Sequence, residues 1–186
     1  MIDPKPEKKI KQIKLSAIYV PQEQWEMLDL AWIHLGYSPR MIAKNCLQGF
    51  FARNKAYYIE AAIRDAKSRG ISQSEHYKIL RDGGELPRII EAADHPSSPI
   101  AWVPDLVNTE NKRRYNSLEL SWYNFTLLQM AVLLDGGSLP SVISKCIYAH
   151  LGESYELEPP GNLRAGAWAK FYYPQIKLDN ENLYKE

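Results

Sequence analysis

KLSAIYVPQEQWEMLDLAWIHLGYSPRMIAKNCLQGFF, residues 14–51, decides the fold, because RYNSLELSWYNFTLLQMAVLLDGGSLPSVISKCIYAHL, residues 114–151, repeats its pattern at an offset of one hundred without a gap. A fixed-offset repeat means one supersecondary unit used twice. Leu28 and Leu128, Ala31 and Ala131, Gly36 and Gly136, Ser38 and Ser138, and Cys46 and Cys146 are identical. Class is kept at Ile18/Leu118, Val20/Leu120, Trp25/Phe125, Met27/Leu127, Leu30/Met130, Ile33/Leu133, Ile42/Val142 and Leu47/Ile147.

Each copy opens on a β-prone run, KLSAIYV or RYNSLEL, that suits a strand of about six residues. Pro21 and Ser121 stand where a helix starts, since proline fits a first turn and serine caps it. The next segments, QEQWEMLDLAWIHL and WYNFTLLQMAVLLD, put Trp25, Leu28, Trp32 and Leu35, and likewise Phe125, Leu128 and Val132, on one face of an amphipathic helix. Gly36 and Gly136 stop these helices, and Ser38 and Ser138, with Pro39 and Pro140 close behind, start a second pair. Ile42, Cys46, Leu47 and Phe50 are expected inward on the first of these.

Outside the repeats, KAYYIEAAIRDAKSRG continues helically to Gly70, and Ser72 caps a short helix in SQSEHYKILRD. Glycine and proline then thicken to Thr109, marking an irregular connection with a short helix near Pro87 to Ala93. After Glu153 an aromatic cluster, Trp168, Phe171, Tyr172 and Tyr173, is expected to cover the core or, alternatively, to offer an exposed patch to a partner. The division of the chain is therefore a basic arm over 1–13, a first unit over 14–54, a linker over 55–111, a second unit over 112–152 and an extension over 153–186.

With 186 residues, 45% of them hydrophobic and 24% charged, the chain has globular composition and can build one core. No apolar run approaches the roughly 20 residues of a membrane span, and no apolar segment follows the N-terminal lysines. A cytoplasmic protein with no membrane partner is expected. Cys46 and Cys146 sit in no ligand-spaced motif and read as small buried residues. His34, His76, His95 and His150 are scattered, so no metal or other cofactor is indicated. Neither a phosphate-cradling glycine loop nor a nucleophile elbow occurs, and Asp29, Glu60 and Asp65 read as solvated helix charges, so no enzyme is expected.

The net charge of +1 conceals a gradient. Residues 1–70 hold 12 Lys/Arg against 7 Asp/Glu, with Lys5, Lys8, Lys9, Lys11 and Lys14 grouped at the start. Such an arm is either a solvated tail or a contact for nucleic-acid phosphate.

The order strand, helix, glycine turn, helix in both quoted stretches resembles the ribbon-helix-helix family of MetJ, Arc and CopG type repressors. The resemblance implies a mainly α fold in which the two units form an intramolecular pseudo-dimer around a short antiparallel two-stranded ribbon. One such unit cannot bury enough apolar surface alone. It further implies that the ribbon enters the major groove of DNA while the start of the second helix holds a phosphate.

Two registers are open. With Ile18, Val20, Leu118 and Leu120 inward, the outward residues are Leu15, Ala17, Tyr19, Tyr115, Ser117 and Glu119. A shift of one residue instead turns Lys14 and Ser16 outward and buries Tyr19. The candidate DNA-binding residues are Lys11, Lys14, Ser16, Tyr19, Ser38, Arg40, Lys112, Arg113, Arg114, Ser117 and Ser138, with Ser38 and Ser138 readable equally as helix caps. Two functions are expected to compete. One is a transcriptional or mobile-element regulator whose partner is duplex DNA. The other is an interaction module on the same fold, with a protein partner or a second copy on the ribbon face.

Overall fold

The structure, a computed structural model, describes residues 10–87, 97–107, 112–115 and 117–153. It is mainly helical, with short antiparallel pairs of strands. In chain order the elements are β1 (Ile10–Ile13), β2 (Ile18–Tyr19), α1 (Gln22–Leu35), α2 (Pro39–Ser68), α3 (Gln73–Arg81), β3 (Lys112–Arg113), β4 (Leu118–Ser121), α4 (Trp122–Asp135) and α5 (Leu139–Glu153). The N-terminal arm before Ile10, the segment around Pro87 to Ala93 beyond its first residue, and the aromatic cluster Trp168 to Tyr173 lie outside the described residues.

The chain punctuates itself where its turn chemistry says it should. Ser38, Ser72, Ser121 and Ser138 each accept a hydrogen bond from the backbone N–H three residues on, at 3.1 to 3.3 Å, which satisfies one of the orphan amides of a helix start. Pro21 has no side-chain oxygen, so α1 begins on its carbonyl alone, which accepts from Gln24 and Trp25. Gly36 and Gly136 both take φ 71°, the left-handed conformation that ends a helix cheaply only at glycine.

The ribbon differs from two unbroken six-residue strands. β1 pairs with β4, Ile10 facing Ser121 and Ile13 facing Leu118, and β2 pairs with β3, Ile18 facing Arg113 and Tyr19 facing Lys112. Both ladders share one register, with a gap between them. Even-numbered residues always face odd-numbered ones in that register, whereas repeat-equivalent residues have the same parity. Cross-strand neighbours must share a face, so both strands cannot alternate regularly through the middle. Strand one resolves the conflict by changing phase: Ile13, Leu15 and Ala17 are buried, and then so are Ile18 and Val20.

Below the ribbon lies one core. Ile18, Val20, Leu118, Leu120, Leu28, Leu128, Cys46, Cys146, Leu47 and Ile147 all have essentially no exposed surface. α2 and α5 cross where Gly49 lies against the His150 ring, an approach that a Cβ at 49 would obstruct at 2.3 Å. Past the crossing, α2 carries on as one continuous helix and packs with α3 against α4. Its Phe50, Phe51 and Tyr58 form an aromatic cluster with ring centroids 5.3 to 6.2 Å apart. Ile100, Val103 and Leu106 of the connection close the same core. Among the described residues no single helix is long and apolar enough to cross a membrane; α4 and α5 are apolar, but a bend of 102° separates them.

Candidate nucleic-acid interface

The phase change decides which side chains leave the ribbon. Leu15 and Ala17, expected outward in the first register, are buried at 6% and 5% exposure. Lys14 and Ser16 are exposed between them. The one-residue shift thus describes the first half of strand one, while Ile18 and Val20 keep the inward places of the original register. Neither register alone accounts for the strand, because a single period of two cannot bury 13, 15 and 17 together with 18 and 20.

Across the outer face, Lys112 and Arg114 are exposed, and Tyr19, the residue facing Lys112, is half-buried. The Tyr19 amide donates to Ser144 Oγ at 2.8 Å, which fastens this end of the ribbon to α5. Ser117 lies just before β4, where Arg40 donates from Nε to its carbonyl and from Nη2 to its hydroxyl, both at 2.6 Å. That pair sets the first turn of α2 beside the ribbon. Ser38 and Ser138 are exposed and occupied as caps by the amides of Met41 and Ser141.

Two of the candidate cations point the other way. Lys11 faces Leu120 across β1 and β4, and its Nζ sits 5.2 Å from the Trp122 ring and 5.1 Å from the Phe125 ring. Arg113 faces Ile18, lies 4.4 Å over Trp25, and grips Asp29 with both terminal nitrogens at 2.5 Å. Its guanidinium is held charged beyond the usual arginine range, chiefly by the hydrogen bonds it donates to Asp29. Trp25 and Phe125 are repeat-equivalent, so each first helix carries a cation on the face of its aromatic ring. Asp29 is accordingly an ion-pair partner rather than a solvated charge. Asp65 is another, accepting from Arg69 Nε at 2.8 Å and meeting His76 Nε2 at 2.7 Å where α3 is pinned to α2.

Gln12 belongs with the outer face although sequence reasoning left it in the arm. It pairs with Glu119 across the strands, Nε2 donating to Oε1 at 3.2 Å. The signal was the polar–apolar alternation of Gln12–Ala17, which runs across the end of the arm at residue 13. Away from the ribbon, α2, α3 and α4 enclose an apolar groove of about 210 Å³, rimmed by Ile59, Ile63, Tyr77 and Tyr123, each 39 to 45% exposed. Burial pushes the Cys46 thiol up to about 12 and that of Cys146 well above its ordinary value. Among the described residues no group of three His, Cys, Asp or Glu could hold a metal ion.

The surface assembled here can offer ammonium, guanidinium, hydroxyl and amide donors to an anionic, hydrogen-bonding polymer. Compared with known proteins, the chain matches no family model, no curated protein and no solved structure.

Proposed function

We propose that the protein is a DNA-binding regulator of ribbon-helix-helix type, in which the two repeats act as the halves of a tethered dimer and the ribbon docks on duplex DNA. The observation that supports it is the exposure of Lys14, Ser16, Lys112 and Arg114 while Leu15 and Ala17 turn inward. A face of apolar residues would suit protein; one of cations and small hydroxyls suits phosphate and base edges. Arg40 at the ribbon's flank is a further donor there. Tethering makes strand pairing intramolecular, so this state persists on dilution.

The test is duplex binding followed across ionic strength. Affinity is expected to fall steeply with salt, and replacing Lys14, Lys112 and Arg114 together by Ala is expected to flatten the log–log slope by about one for each cation removed. Absence of any retardation at low salt and micromolar protein overturns the reading. A second reading, an interaction module, draws on the exposed rim of Ile59, Ile63, Tyr77 and Tyr123. It expects self-association or a protein partner that is lost when these residues become polar.

A further inference from the structure

The two ends of the ribbon are chemically unlike, and we infer that one chain binds a single duplex site that is not palindromic, in one orientation. The inference rests on the DNA-binding reading and names the kind of site it takes. At the β2/β3 end the outer face carries Lys112 beside Tyr19, with the exposed Arg114 just beyond the strand and no carboxylate among the described residues of that face. Asp29 is engaged by Arg113, whose side chain leaves the opposite face of the strand from Lys112. At the β1/β4 end Lys14 is the exposed counterpart of Arg114, but the repeat-equivalent of Lys112 is Gln12, and it hydrogen-bonds Glu119.

One end therefore presents cations that attract phosphate and pair with guanine. The other presents one cation, Lys14, beside an amide and a carboxylate, which suit the amino groups of adenine and cytosine and weaken the pull on phosphate. A palindromic site offers both ends the same groups, so one of its halves would always meet the wrong end. Covalent linkage of the strands removes the symmetry that makes half-sites match in an ordinary dimer. The flanks differ in the same sense. Arg40 stands in the first turn of α2, where α5 has Pro140.

Selection from a duplex library randomised over about twenty base pairs, long enough for two half-sites, tests this directly with the full chain. The expected motif differs from its own reverse complement, and sedimentation of the selected duplex with protein gives one chain per duplex. Replacing Lys112 and Arg114 by Ala is expected to lower affinity about tenfold or more and to relax preference at one end of the motif only. Replacing Gln12 and Glu119 by Ala is expected to relax the opposite end while leaving affinity equal or higher. Melting curves matching the parent keep folding out of the comparison. A self-complementary motif, two chains per duplex, or relaxation of both ends by either pair overturns the inference. So does salt-sensitive binding that enriches no sequence, which leaves DNA binding itself standing; failure to retain any duplex overturns both.

Discussion

α1 and α4 occupy the same place in the two repeats and live in different surroundings. α4 is enclosed nearly all round: Phe125 and Leu128 face the core, and Thr126, Leu127, Met130 and Ala131 are buried as well. The reason is α2, which runs on past the α5 crossing and brings α3 with it onto α4. α1 packs on α2, with Trp25 and Leu28 buried, while Ile33 is 71% exposed. Near-identical helix patterns thus leave Ile33 in water in one copy and pack its equivalent, Leu133, against the core in the other. The difference shows that a repeat fixes the inner face of each unit, and the sequence between repeats fixes the outer one.

The inner faces should therefore respond alike. Leu28→Ala and Leu128→Ala each remove a fully buried side chain and are expected to cost about 2 to 5 kcal/mol in denaturant melts, by similar amounts. A gap of several kcal/mol between them would break the equivalence. The α2–α5 crossing should respond unevenly. Gly49→Ala drives a methyl group into the His150 ring and is expected to cost about 1 to 3 kcal/mol, while Ala149→Gly costs about 1 through helix propensity. The buried thiols again belong to the shared part. Cys46 is raised from 9.0 to about 12, so the folded state prefers the neutral form. Its contribution is complete below pH 9 and is lost as pH rises toward 12, so melts should soften over that window. Neither Cys46 nor Cys146 should react with a thiol reagent at pH 8 until the chain unfolds. Next in size is the Arg113–Asp29 pair, about one-third exposed on each side. Asp29→Asn should cost less than about 1 kcal/mol.

Local chemistry explains what could be read in advance. The serine caps, the stops at Gly36, Gly70 and Gly136, and the burial of Cys46 and Cys146 each depend on a residue and its near neighbours. The phase change in strand one was not legible, because each half of the alternation suits a different register and only cross-strand pairing shows that both hold. Arg113 was read as a free cation for the same kind of reason: Asp29 lies 84 residues away and periodicity carries no record of it. The enclosure of α4 was missed because the helical pattern beyond Asn54 says that α2 continues but not what it meets.

The smallest expected effect tests the outer faces most sharply. Ile33 and Leu133 are repeat-equivalent, and the repeat alone would assign them one value. Ile33 is mostly in water, so Ile33→Ala should shift stability by no more than about 0.5 kcal/mol. Leu133 is only partly exposed, packed against the core beside Leu80, Gly83 and Leu86 at the end of α3. Its truncation should cost about 1 to 2 kcal/mol, less than a fully buried leucine because the site is open to solvent on one side. If Ile33→Ala costs as much as Leu133→Ala, something covers α1 in solution, and the contrast between the two helices is then one of which segment does the covering.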